Sequence, residues 1–312
     1  MLDVNRLILL RELHMRGSMT AVAQALNFSP SAISQHIAQL EKEAGQPLIR
    51  HIGRGVRLTP QGLALVDVAA ELANILERAE ADLQRFHETV RGTVRVAVFQ
   101  SAALALIPAA MRELGNRFPE IRVEMVQKEP AEALHGTWSR EFDLVIAEEY
   151  PEHSAPWLPG LQRETLTADA ITLTVPIESA ITTLAQTEHA AWVMEPPGTA
   201  SRHFAEQLCR RSGFEPDVRF ETADLQAHIR LVESGNAVAL IPGLVWKGRI
   251  PECRLIEIDT HPRRNVFMVM REAESASPAV NAVRSVLKEV AKAASSEHDE
   301  SRENTSLTRL ST

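Results

Sequence analysis

Apolar positions recur every three or four residues through the first third of the chain, then give way to short β-branched runs after Arg91-Gly92. Residues 3–16 predict a first helix, ended by Gly17. Ser18 is placed to cap a second, MTAVAQAL, with Met19, Val22, Ala23 and Leu26 inward and Asn27 in the left-handed conformation that closes it. Ser29-Pro30 then offers an N-cap followed by proline at the first helical position. In the third helix Ile33, Ile37, Leu40 and Ala44 form one stripe, and Ser31, Ser34, Gln35, Ala38 and Lys42 lie opposite. Glu and Lys would be the ordinary choice for a face turned to water. Small uncharged polar groups there indicate contact instead, and two helices joined by a short turn predict a helix-turn-helix.

The next stretch, QPLIRHIGRGVRLTPQG, predicts two short strands turning at Gly53 and Gly55, a wing that carries Arg50, Arg54 and Arg57. The chemistry of the two pieces is that of a double-stranded DNA reader. Gln35 can pair bidentately with adenine, Ser31, Ser34 and Gln39 can meet a base or phosphate, and Ser29 and Pro30 open the same helix. Lys42 and the wing arginines suit phosphates or the minor groove. From Thr59-Pro60 to Val90 there is no further proline and no glycine after Gly62. Leu65, Ala69, Leu72, Leu76, Ala79, Leu83 and Phe86 alternate by four and three, a seven-residue repeat that calls for a partner helix. The expected assembly is a homodimer through Leu65, Leu72, Leu76, Leu83 and Phe86, reading an operator of imperfect dyad symmetry.

Beyond Gly92 strands and helices alternate: TVRVAVF, SAALALIPAAMRELGNRF, EIRVEMVQ, EPAEALHGTW and FDLVIAEEY. ADAITLTVP opens a second set, continued by AWVMEP, SRHFAEQLCRRSG, DVRFET, DLQAHIRLVESG and NAVALIPG. RNVFMVMRE and a helix from Ser277 complete the body, and residues 295–312 form a polar tail expected to be disordered. The alternation predicts a parallel α/β sheet. Ligands bind such sheets outside the carboxyl ends of the strands. That rule selects Gln100, Ser101 and Ala102, then Glu148 and Glu149, then Glu195, Gly198 and Thr199, then Glu221 and Thr222. Ser101 can contact a ligand, cap the helix that starts at residue 102, or both. The acidic loops fit an effector bearing an amine or other cation, but carboxylates that cap helices or face water are the preferred reading.

Net charge is −8 over 312 residues, which by itself argues against a nucleic-acid partner. Its distribution restores one: residues 1–62 carry +3 and the remainder −11. Two cysteines, Cys209 and Cys253, give neither a disulfide framework nor metal spacing, so structural thiols in a reducing cytoplasm are expected. No apolar run is long enough for a membrane span, and the amino terminus makes a poor signal peptide. Dinucleotide, phosphate-loop, zinc-protease and nucleophile-elbow motifs are all absent, so no catalytic residue, metal or cofactor is assigned and the chain is not expected to be an enzyme.

MTAVAQAL, SPSAISQHIAQLEKEAGQPL and a wing ending RLTPQG, in that order and spacing, resemble the amino-terminal domain of LysR-type transcriptional regulators. LVESGNAVALIPG resembles a segment near that family's end, so the likeness spans roughly residues 2–293. It implies an α/β chain with an all-α-type winged helix-turn-helix head (1–59), a long dimerisation helix (60–90) and a two-lobed effector domain (91–294) akin to periplasmic solute-binding proteins. Lobe 1 would hold 92–167 with 264–294, and lobe 2 168–263. It further implies antiparallel helix pairing, a homotetramer, an unidentified small-molecule co-inducer between the lobes, and RNA polymerase as a partner. Departures are Pro30-Ser31 where the family often has Gln-Pro, Ile49 for an aromatic, and His51 for an arginine. His51 would either make affinity pH-sensitive or pack as a neutral ring. A solute-binding protein without regulatory role would share the lobes but has no use for the DNA-reading head.

Overall fold

The computed structural model describes the chain apart from Asn27, Arg54, His87, Glu88, residues 155–159 and residues 310–312; for Gln84 and residues 295–309 it describes the backbone alone. The chain divides into two compact units. One is Met1–Glu88 with Glu272–Ser277, and the other is Thr89–Arg271 with the segment from Pro278 onward.

In the first unit α1 (Val4–Arg16) is capped by Asp3, which accepts from Arg6 N at 3.1 Å, and closed by Gly17 at φ 73°. Ser18 Oγ accepts from Ala21 N at 3.1 Å to start α2 (Met19–Leu26). Ser29 accepts from Ala32 N at 3.2 Å, and Pro30 takes the first position of α3 (Pro30–Ala44). The left-handed closure expected of Asn27 lies outside the described residues. Leu7, Leu10, Leu13, Val22, Ile33, Ile37, Leu40 and Leu48 interlock in one core. Burial of each contributes about 1.5–3 kcal/mol before the entropy of ordering is subtracted. The hairpin of β1 (Ile49–Ile52) and β2 (Gly55–Leu58) follows, paired from Ile49↔Leu58 to Ile52↔Gly55. Glu41 of α3 fixes its base by accepting from Leu48 N at 2.8 Å and Ile49 N at 3.1 Å.

Thr59 caps α4 (Pro60–Gln84). Its apolar repeat serves two surfaces rather than one. Leu65, Val66, Ala69 and Leu72 pack on the core of their own unit. Val68, Ile75, Leu76, Leu83 and Phe86 stay exposed, Phe86 at 85%. Leu65 and Leu72, half-buried, therefore already pack in part on their own unit, where α1 lies against this helix.

The second unit opens with β3 (Gly92–Val98), α5 (Gln100–Ala105), α6 (Ile107–Arg117), β4 (Ile121–Gln127), α7 (Pro130–Trp138) and β5 (Leu144–Glu149). β6 (Leu161–Pro176) leads to β7 (Ala191–Met194), α8 (Ala200–Arg211), β8 (Asp217–Glu221), α9 (Leu225–Glu233), β9 (Ala239–Pro242) and β10 (Cys253–Ile256). β11 (Arg263–Arg271) and α10 (Pro278–Arg309) end the chain. The main sheet runs β10-β6-β11-β5-β3-β4, with β9 also on β6.

Several expectations are corrected. The sheet is mixed: β3 is parallel to β4 and β5, but β11 is antiparallel to β5 and β6, and β9 and β10 are antiparallel to β6. ADAITLTVP does not open a new set of strands; it is the second half of β6, which pairs with β11 up to Ala170 and with β9 and β10 thereafter. SAALALIPAAMRELGNRF is two helices, broken at Leu106 before Pro108, which lacks the N–H to continue the first. The backbone of α10 is helical from Pro278 to Arg309. One lobe is built on the core of β3, β5, β11, α6 and α10, and the other on clusters either side of the second half of β6.

Candidate functional site

The head presents the α3 face that the sequence marked out. Ser31, Ser34, Gln35, Gln39 and Lys42 point away from Ile33, Ile37 and Leu40, which are fully buried behind them. Ser29 Oγ lies 2.9 Å from Ser31 Oγ, so the cap and the first outward serine are joined by a hydrogen bond. Gln39 donates to Glu43 at 3.4 Å, which leaves Gln35 as the outward amide with no intramolecular partner among the described residues. Phe28, which the sequence reading passed over, is half exposed in the turn and sits edge-on to His36 at 5.9 Å. In the wing Arg50 stands directly opposite Arg57, both exposed. Like charges facing across a strand pair are destabilising in isolation, and an anion between them offsets the repulsion. Arg54 lies outside the described residues. His51 is exposed on the hairpin, so it does not serve as a packing ring.

The second unit brings several strand ends together. Gln100, at the start of α5, donates to Asp224 Oδ1 at 2.8 Å and accepts from Leu225 N at 2.8 Å, tying β3's end to the start of α9. Ser101 is fully buried and does not cap a helix: α5 begins one residue earlier, and Ser101 Oγ accepts from Arg264 Nη2 at 2.6 Å. Arg264, 1% exposed, also donates to Asp169 Oδ2 from Nε and Nη2 at 3.0 and 2.7 Å, and from Nη1 to Glu148. Its guanidinium lies over the Phe99 ring. Asp169 Oδ1 accepts from Leu244 N at 3.0 Å. This buried cluster sits where β6 and β11 pass from one lobe to the other.

Burial, reinforced by the Glu195 and Glu129 carboxylates, pushes Glu148 up to about 7 against the pull of Arg264. Burial opposes the charge on Arg264, but Glu148 and Asp169 outweigh it and hold the guanidinium above its ordinary range. Glu129 is likewise raised, by desolvation and then by Glu195. His228 is lowered by desolvation, and its Nε2 meets the Thr222 carbonyl at 2.8 Å.

Other residues chosen from the sequence have different work. Ala102 is fully buried in a lobe core, out of reach of a ligand. Glu149 is one residue out of phase with Glu148, so it points to the opposite side of the sheet and pairs with Arg163 at 3.3 Å. Thr199 caps α8, accepting from Arg202 N and donating to Pro196 O, and Gly198 at φ 94° makes the turn before it. Glu221 faces Arg202 at 3.8 Å, half exposed, and Thr222 offers its carbonyl to His228. Glu195 accepts from Ser201 Oγ and does border a cleft. That shallow cleft is walled by Tyr150, Ile171, Met194, Phe204 and Leu240, with Glu195, Ser201, Arg202 and His228 among its polar members. Cys209 and Cys253 are buried thiols, pushed by desolvation to about 12 and about 11. No helix among the described residues is long and apolar enough to cross a membrane.

Known proteins share both the sequence pattern and the fold. Residues 4–63 match the model of bacterial regulatory helix-turn-helix proteins of the lysR family, and residues 87–292 match the LysR substrate binding domain. The transcriptional regulator BudR of Raoultella terrigena is 27% identical over 236 residues, 71% of this chain and 81% of that protein. A full-length OxyR point variant from Pseudomonas aeruginosa superposes with a TM-score of 0.66 at 16% identity, covering 94% of this chain and 95% of that one. Full-length CbnR complexed with its target DNA gives 0.51 at 19% identity, covering 93% and 100%.

Proposed function

The chain belongs to the LysR family of bacterial transcriptional regulators, and from that premise we propose that it binds a dyad-symmetric operator as a dimer or tetramer in the cytoplasm, under the control of a small-molecule co-inducer held between its two lobes. The observation that carries the reading is the outward Ser31-Ser34-Gln35-Lys42 face of α3 beside a wing whose Arg50 and Arg57 stand opposite each other. Gln35 reads an adenine edge, and the arginines take phosphates. The effector changes the angle between the lobes, and with it the way paired heads are offered to DNA and the contact with RNA polymerase. It does so only by binding one arrangement better than the other.

A footprint on the DNA upstream of the gene itself, at stated salt, tests this. The expected result is protection of a dyad-symmetric site by the intact protein. Gln35→Ala should lose about 1–3 kcal/mol of discrimination at one position of each half-site while retaining salt-sensitive binding. Binding that depends on salt but not on sequence, with the variant unchanged, would overturn the assignment of the reading face.

A further inference from the structure

The cleft at the end of β7 and β9 has a composition that specifies more than its size. Its wall is apolar and aromatic, with Tyr150 and Phe204 rings 5.5 Å apart and Ile171, Met194 and Leu240 beside them. Two of the polar groups at its edge, His228 and Glu195, present acceptors. His228 is 3% exposed and spends its Nε2 proton on the Thr222 carbonyl, so Nδ1 carries the lone pair. That nitrogen has no hydrogen-bond partner among the described residues. Glu195 takes the Ser201 proton on one oxygen and leaves the other open. Arg202 also lines the cleft, and its charge is partly balanced: it donates to Glu206 and to the Glu195 carbonyl, and faces Glu221. Arg264 is held by Asp169, Glu148 and Ser101. Tyr150 is buried beside Arg264 and Glu148.

We propose that this cleft takes a compact primary amine, a short alkyl chain or single ring seated against Tyr150, Phe204 and Leu240, with its ammonium group donating to Glu195 and to His228 Nδ1. This deepens the effector-site reading above and rests on it. An ammonium supplies several N–H donors and a positive charge, and the cleft edge offers acceptors and negative charge. A carboxylate ligand would bring acceptors to acceptors and meet repulsion from Glu195, with Glu148 and Glu129 behind it.

The test uses the full-length protein and isothermal titration. The probes are 2-phenylethylamine and n-butylamine, set against 3-phenylpropionate and butyrate as charge-reversed counterparts. Saturable binding of an amine is expected, with neither carboxylate bound. Glu195→Gln, which keeps the shape and the Ser201 contact, should weaken amine binding about tenfold while leaving the thermal melt unchanged. Carboxylates binding as tightly as amines, no amine binding at millimolar concentration, or equal binding by the variant would each overturn the proposal. Repeating the footprint with saturating 2-phenylethylamine separates the two readings. Amine bound and lost in the variant, with an unaltered footprint, supports the cleft chemistry and removes its role as effector site. A footprint altered by a carboxylate and by no amine overturns the amine and leaves the effector reading standing.

Discussion

Asp169 and Arg264 hold positions where the alternation of their strands calls for apolar side chains. Asp169 is in phase with Ile171, Leu173 and Val175, and Arg264 with Val266, Met268 and Met270, all of them buried. This signal lay in the sequence, in ADAITLTVP and RRNVFMVMR, and a charge at an inward position is a pointer to a buried polar network. Arg264→Met leaves Asp169 and Glu148 without their counter-charge, and urea denaturation should show a loss of about 3–5 kcal/mol. Glu148 supplies a pH dependence. Its folded value is raised from the ordinary 4.5 to about 7, so it binds its proton more tightly in the folded protein than in the unfolded chain. The stability it contributes is complete below about 4.5 and is lost as pH rises through about 7. Stability of Glu148→Gln, measured from pH 5 to pH 8, should therefore fall less than that of the parent chain. The role of Ser101 was not legible, because the start of α5 shifts by two residues from the expected one and Arg264 of distant β11 donates to its hydroxyl. His228 carried no signal at all: on an amphipathic helix a buried histidine reads like any other inward residue until its neighbours are known.

At the scale of elements, caps and glycines were the legible part. Ser18, Ser29 and Gly17 all mark helix ends in the way their chemistry dictates. Gly62 has a different reason to be small. A Cβ there would overlap the Leu48 carbonyl oxygen, where the first turn of α4 passes the base of the wing. Gly62→Ala should destabilise the head by about 1–3 kcal/mol in thermal or chemical melts, since the obstacle is backbone and cannot rotate away. The helix that α4 forms was visible from its period, but its division of labour was not. Leu65 and Leu72, turned to α1, and Leu76 and Leu83, left exposed, fall on one continuous stripe. A periodicity records that an arc is apolar and is silent on how many neighbours share it. The direction of β9 and β11 was hidden for a related reason: a largely buried strand has the same composition whichever way it runs.

For the whole molecule, the exposed stripe of Val68, Ile75, Leu76, Leu83 and Phe86 is more apolar surface than a lone helix keeps in water. A second copy of the chain is the expected cover. Leu76→Glu with Leu83→Glu should shift sedimentation toward the monomer and abolish protection of a full dyad site, while each head remains folded because neither residue belongs to its core. The charge division, +3 in the first 62 residues and −11 in the rest, keeps nonspecific attraction to DNA confined to the heads. Within the second unit, β6 runs sixteen residues without interruption, serving β11 in its first half and β9 and β10 in its second. No glycine occurs in it or between Glu257 and Arg271 in the return crossing. The lobes are thus joined by a torsion bar and not by a loose joint. Any rotation of one against the other would wind elastic twist into two paired strands, with a restoring torque that grows with the angle.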